Sequence, residues 1–297
     1  MNAAKELVLS NPAYLKAVEF HVWQVYLQDL AKGDYSTQYF VPDYKQDVVA
    51  DITVWHDGVL SGMQESEWFM NKCGVNVLKK KKDGSLLKKG DVVMRLKGPA
   101  DKILASERTL LNLLQRMSGV ATHTKRYSIK LPKSIKLLAT RKTLWGLLDK
   151  RAVSVGGGGT HRLNLSDAIL IKDNHLDLIH DLERCLWKVF EKAPIVRFIE
   201  IEFDDVKRVE SFFDIYKRLK ADFFLKDKVV VMLDNFTPAD VKQVAPRLRR
   251  SGLFVEVSGG VTETNIAGYN VSGVSAISVG AITSKAPNLD MNLHFCF

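Results

Sequence analysis

TRKTLWGLLDKRAVSVGGGGTHRLNLSDAILIKDNH, Thr140 to His175, is the stretch on which the fold of this 297-residue chain turns. The apolar run IKLLAT leads into it and AILIK lies near its end; both have the length and composition of buried parallel strands. Each run meets a cation. Arg141 and Lys142 follow the first, and Lys172 closes the second. A charge abutting a buried strand is costly unless it faces a cavity or a partner. Several cations converging at strand ends therefore predict a pocket for a multiply anionic ligand. Between the two runs lies GGGGTHR, Gly156 to Arg162. It reads either as a flexible loop before a basic pair, or as backbone brought close to a ligand with His161 and Arg162 pointing at it. His175, in KDNH, reads as a supporting residue behind the site.

Outward from this stretch the chain alternates strand and helix. RFIEIE, KVVVML, LFVEVS and SAISVG continue the strand series. Helical stretches LIHDLERCLWKVFEK, DDVKRVESFFDIYKRL and PADVKQVAPRLRR fall between them. Six such units predict a parallel sheet curled into an open or closed α/β barrel. Toward the N-terminus the rhythm differs. Leu15 to Leu30 has helical amphipathicity, and short strands are expected around Asp51–Trp55, Val75–Leu78 and Val92–Leu96, as in an α+β unit with a small antiparallel sheet. From Ala105, ERTLLNLLQRMSGVATHTKRYSI reads as a long helix bridging the two units. The expected domains are 1–117 and 118–282, with the tail 283–297 returning to the first.

Composition sets the class. The apolar fraction and mean hydropathy near zero are those of a globular protein, and no window is apolar enough for a membrane span. The N-terminal residues lack a basic region followed by an apolar one, so no secretion signal is read. Cys73, Cys185 and Cys296 have no CxxC spacing, which fits a reduced cytoplasm and argues against a disulfide framework or structural zinc. The net charge of +9 fits attraction of a small polyanion. Nucleic-acid binding would bring arginine or aromatic interleaving, which is lacking. KKKKDGSLLKK, Lys79 to Lys89, reads as a solvated face on a hairpin turning at Asp83-Gly84.

In barrels and parallel sheets chemistry collects at the C-terminal strand ends. Those ends carry Arg141 and Lys142, Lys172, Glu202, Asp234, Ser258-Gly259-Gly260 and Gly280 in turn. Asp234 and Ser258 also suit helix N-caps; Arg141, Lys172 and Glu202 do not. The two glycine-bearing ends predict amide donors for a phosphate where helices begin. Glu202 and Asp234 suit ion pairs with the cations, ribose hydroxyls, or Mg²⁺ bridging phosphates. Glu200, two residues before Glu202, falls on the same strand face.

ERTLLNLLQRMSGVAT, TRKT, GGGGTHR, LIKDNH, IEIE, MLDNF, VEVSGG and ISVGAIT, in this order from Asp51 onward, resemble the quinolinate phosphoribosyltransferase family. The resemblance implies an N-terminal α/β sandwich with a C-terminal open α/β barrel, in a homodimer or larger homo-oligomer with shared active sites. It implies conversion of quinolinate and phosphoribosyl pyrophosphate to nicotinate mononucleotide, pyrophosphate and CO₂ with Mg²⁺, in NAD biosynthesis. By the same resemblance Arg108 reaches the neighbouring subunit's site, and Arg141, Lys142, Thr143, His161, Arg162 and Lys172 line the dicarboxylate pocket. Ser258, Gly259, Gly260, Ser278 and Gly280 take the 5′-phosphate. Lys142, Lys172, Glu202 and Asp234 carry catalysis, the two acids also serving the metal through water or substrate. One departure is local: Trp145 and Leu148 stand where the family's xPGxR pattern has proline and arginine. A paralogue associated with molybdate transport shares the fold and would act on a different aromatic acid. Two further readings are a barrel lyase with a Schiff base on Lys172, and a phosphometabolite or nucleic-acid binder without turnover.

Overall fold

The structure, a computed structural model, describes residues 1–192, 195–220, 223 and 229–296. Its strands are β1 Asp47–Val54, β2 Gly58–Val59, β3 Asn76–Lys80, β4 Leu86–Leu87, β5 Val92–Pro99, β6 Lys136–Leu138, β7 Ile169–Ile171, β8 Ile199–Phe203, β9 Val229–Asp234, β10 Phe254–Ser258, β11 Ala276–Ser278 and β12 Met291–Cys296. Lys228, the first residue of the KVVVML strand expectation, lies outside the described residues.

Contacts divide the chain into two units. One, the sandwich unit, comprises Ala4–Lys125, Lys142–Gly158 and Ile282–Phe297. Its four-stranded antiparallel sheet has the order β12-β1-β5-β3. β5 shows why one face is core: Val93, Met94, Leu96 and Gly98 are buried while Val92, Arg95 and Lys97 are exposed, an alternation broken by one local irregularity against β1. β12, from the tail where the βα rhythm stops, pairs along β1 from Val49↔Cys296 to Val54↔Met291. The amphipathic stretch near the N-terminus is helical over Pro12–Val18 and Gln24–Leu30, joined by a π-turn at Glu19–Trp23.

One expectation for this unit is corrected. Asp83-Gly84 makes a turn, with Gly84 at φ 84°, yet β3 and β4 do not pair with each other. β3 pairs with β5 and β4 with β2, and the Asp83 carboxylate between them is drawn inward. It accepts from the Met63 amide at 2.9 Å and pairs with Arg151 at 2.9 Å. Contacts divide the chain differently from the expected boundary at 117/118. Ala100–Ser128 is one uninterrupted helix, and only its residues from Arg126 onward group with the other unit. Lys142–Gly158 likewise joins the sandwich unit, where Leu148, Ala152 and Val153 are fully buried.

The second unit comprises Met1–Ala3, Arg126–Arg141 and Gly159–Ala281. Its six strands, all parallel, run in the order β6-β11-β10-β9-β8-β7. β8 is buried at every residue, as expected when helices cover one face and the other closes on itself. The barrel is open: among the described residues no ladder joins β6 to β7, and Gly159 makes a single parallel bridge to Leu138 on the β6 margin. Helices Leu182–Glu191, Val206–Leu219 and Pro238–Arg250 fill the crossovers. Asp205 caps the second, and a Thr237–Asp240 capping box with Pro238 starts the third.

Candidate active site

Register places the strand-end residues on one face of the barrel sheet. Leu170 pairs with Glu200, Glu202 with Met232, Glu256 with Met232 and with Ala276, Asp234 with Ser258, and Ser278 with Leu138. Side chains alternate along each strand. Lys172, Glu200, Glu202, Asp234, Glu256, Ser258, Ser278 and Gly280 therefore share a face. They form two levels: Glu200 and Glu256 within the strands, and the others toward the C-terminal ends.

Neither Asp234 nor Ser258 is spent on capping. The helix after β9 is capped by Thr237, and no helix starts within four residues of Ser258. Asp234 instead accepts from Asn235 Nδ2 at 2.9 Å, and Asn235 itself sits at φ 59°. Gly259 and Gly260 follow at φ 74° and 60°. This corrects the expectation of a helix start at that end: two successive left-handed residues turn the chain away from a helix. A side chain at Gly259 would meet the Asn235 backbone nitrogen at 2.6 Å. After Gly280 a short helix, Ala281–Ser284, does begin.

Charge is concentrated at the same end. Lys172 Nζ lies 3.3 Å from Glu202 Oε2, and burial raises the Glu202 carboxyl above its usual range while Lys172 pulls it back and Asp234 and Asp173 push it further. Arg162 is buried; burial, then the like charge of Arg141, lowers it from the ordinary arginine value, and Glu200 and Glu202 oppose that. Arg141, Arg162, Lys172, Glu202 and Asp234 thus sense one another within a single unit. His175 stands behind Lys172, its Nδ1 accepting from the Lys172 amide at 2.9 Å.

His161 is placed differently from a pocket-lining residue. It is 6% exposed, at φ 55°, with Nε2 2.9 Å from Glu200 Oε2 and 3.4 Å from Glu256 Oε1. Glu256 is a residue the sequence reading passed over. The argument that put Glu200 beside Glu202 applies equally to Glu256, two residues before Ser258 in a buried strand. The glycine run is also explained by packing, in contrast to both readings from sequence. A Cβ at Gly156 would come 2.4 Å from the Ala121 carbonyl oxygen, and one at Gly159 would come 2.6 Å from Leu138.

Arg108, Lys142 and Thr143 belong to the sandwich unit. Arg108 and Lys142 are exposed, and the Lys142 carbonyl accepts from Thr283 Oγ1 at 2.8 Å. The departing residues nearby are structural: Trp145 stacks on His21, with ring centroids 6.1 Å apart, and Leu148 is fully buried. Glu202 and Asp234 offer oxygen donors at the strand ends, which suits Mg²⁺ bound mainly through water and substrate oxygens and does not amount to an all-protein cage.

The chain is similar to known proteins. The quinolinate phosphoribosyl transferase C-terminal domain matches residues 120–294, and the N-terminal domain of the same family matches 34–118. A protein of Archaeoglobus fulgidus named probable nicotinate-nucleotide pyrophosphorylase [carboxylating] is 40% identical over 257 residues, covering 84% of this chain and 94% of that protein. One of the same name from Bacillus subtilis is 33% identical over 90% of each chain. The solved nicotinate-nucleotide pyrophosphorylase from Francisella tularensis superposes with a TM-score of 0.82 at 29% identity, covering 95% of this chain and 96% of that one.

Proposed function

This chain belongs to the quinolinate phosphoribosyl transferase family, and we propose how its own residues carry out that family's reaction. It is a pentosyltransferase, a carboxylating nicotinate-nucleotide pyrophosphorylase of NAD biosynthesis. Quinolinate and phosphoribosyl pyrophosphate give nicotinate mononucleotide, pyrophosphate and CO₂. The observation that carries the assignment of roles is the single face on which Lys172, Glu202, Asp234, Ser258 and Ser278 fall, with Arg141 and Arg162 electrostatically coupled to it.

Pyrophosphate leaves with the C1′ bonding pair, and positive charge builds on the ribose. Glu202 and Asp234, fixed at adjacent strand ends, stabilise that charge without reorganising. The pyridine nitrogen supplies the pair for the new bond to C1′. The carboxylate next to the nitrogen then departs as CO₂, leaving its bonding electrons on the ring carbon, which takes up a proton. The guanidinium groups of Arg141 and Arg162 match the two carboxylates and offset the charge left on the ring. Lys172, its ammonium paired with Glu202, acts as a fixed charge, which disfavours a Schiff-base role. Amides of Gly259, Gly260 and Gly280 with the hydroxyls of Ser258 and Ser278 take the 5′-phosphate. Family resemblance adds Arg108, Lys142 and Thr143 to the substrate-binding set, and a homodimer as the working form. Mg²⁺, held by Glu202 and Asp234 through water and substrate oxygens, would neutralise pyrophosphate. A cytoplasmic location fits the lack of any helix, among the described residues, long and apolar enough to cross a membrane.

The test is incubation with quinolinate, phosphoribosyl pyrophosphate and Mg²⁺. CO₂ and nicotinate mononucleotide should appear in equal amounts, and omission of Mg²⁺ should suppress both. Absence of both products with all components present would overturn the assignment.

A further inference from the structure

Glu200 on β8 and Glu256 on β10 flank β9, and both carboxylates are fully buried. Among the described residues none of their four carboxylate oxygens makes a hydrogen bond of good geometry. Two buried like charges are costly unless they hold a cation or a proton donor. His161 Nε2 lies between them, at 2.9 Å and 3.4 Å. The other ring nitrogen, Nδ1, accepts from the Arg162 backbone N–H at 2.8 Å. The ring meets Phe198 edge-on, with centroids 5.4 Å apart, and the His161 amide donates to the Met1 carbonyl at 3.0 Å. Nδ1 is therefore hydrogen-bonded, Nε2 faces both carboxylates at ion-pair distance, and the next residue is Arg162.

The three side chains also have the composition of a metal site, with donor atoms within 4.8 Å of one another. At 2.9 Å and 3.4 Å the imidazole and the two carboxylates are close enough to hold one another directly. Burial disfavours a charged imidazole, whereas Glu256 and Glu200 favour one. The Arg162 amide bond makes the opposite demand, since it needs a lone pair on Nδ1. With that bond in place the ring carries its proton on Nε2, toward the acids.

We propose that His161 is a positioning residue that does not touch substrate: Glu200 and Glu256 clamp its ring, and the ring fixes the turn that aims the Arg162 guanidinium at a quinolinate carboxylate. This rests on the phosphoribosyl-transfer reading. It explains why the chain keeps two buried acids beneath a cationic crown, and why His161 holds a left-handed backbone uncommon outside glycine.

The isosteric variants Glu200→Gln and Glu256→Gln test the clamp by steady-state kinetics on folded enzyme. The KM for quinolinate should rise about tenfold or more, while the KM for phosphoribosyl pyrophosphate stays within about twofold. Unchanged quinolinate KM, or an equal rise in both KM values, would overturn the clamp. Should either variant fail to fold, ¹⁵N-histidine NMR of the wild type decides. Nδ1 of His161 should stay unprotonated and both ring nitrogens nearly unmoved on adding quinolinate; a large shift at either nitrogen would make His161 a substrate ligand. A wild type that releases no CO₂ defeats the functional reading, and the clamp's role in binding with it. An active wild type with unaltered variants defeats the clamp alone.

Discussion

In the sandwich unit the buried Asp149 carboxylate receives Arg116 Nε at 3.0 Å and Nη2 at 2.8 Å, together with the amides of Leu144 and Trp145 at 2.9 and 3.1 Å. Arg116 in turn donates to the Thr283 carbonyl at 2.7 Å. In the barrel, Glu200 and Glu256 are buried as deeply, yet among the described residues their ion-pair partner is a single imidazole nitrogen. The first arrangement is closed, with the carboxylate and the guanidinium fully engaged. The second leaves acceptor capacity unused beneath a set of cations that face an open strand end. A saturated buried ion pair organises a loop; the under-satisfied one here holds the histidine that precedes Arg162. The difference separates the charges that hold this chain together from those that act.

Breaking the closed centre should have the largest effect on stability. Arg116→Ala leaves Asp149 charged and without its bidentate partner, and should lower stability by about 3–5 kcal/mol. Chemical denaturation checks this, and a loss below about 1 kcal/mol would mean that Asp149 is satisfied without the arginine. A smaller effect is expected at the strand end. Gly259→Ala combines a left-handed backbone with a clash against Asn235, costing about 1–2 kcal/mol. It should also raise the KM for phosphoribosyl pyrophosphate about tenfold, a change of some 1.4 kcal/mol. An unaltered KM would remove this turn from the phosphate site.

The smallest effect belongs to a rim pair of the sandwich sheet. Hydrogen bonds from Arg95 hold the Asp51 carboxyl below the usual carboxylate range against the opposing effect of burial. A depressed acid contributes stability that is complete above its unfolded value and is lost as pH falls through its folded value. Asp51→Asn should therefore lower stability at neutral pH by less than about 1 kcal/mol, since Arg95 is half exposed. The gap to wild type should close on acidification below the ordinary carboxylate range. A gap that persists at low pH would assign the loss to packing.

What the sequence made legible was what local pattern encodes. Runs such as IEIEF and VVVML can only be buried strands, and the polar residue closing each run lies at a strand end because the apolar run fixes the strand's extent. Alternation put Glu200 beside Glu202. It would have placed Glu256 above the same floor, but attention to strand ends passed over a charge in a strand's middle. The turn at Asp83-Gly84 was readable, whereas its strand partners were not: β3 and β4 pair with β5 and β2, and Asp83 between them is held by Met63 and Arg151, far away in the chain. The GGGG run looked like a loop because glycine's conformational freedom is visible in sequence, while close approach to Ala121 and Leu138 is not. The pairing of Arg116 with Asp149 carries no local signature, so its closed centre emerges only in three dimensions.

The separation of acting from structural charge rests most directly on Arg162. The decisive measurement is quinolinate-dependent CO₂ release by Arg162→Ala, normalised to folded protein and set beside its unfolding midpoint. Turnover at fixed quinolinate should fall about a hundredfold or more, equivalent to roughly 2.7 kcal/mol, with the midpoint shifted far less than in Arg116→Ala. Near-normal turnover, or loss of activity only in step with loss of folded protein, would contradict the account.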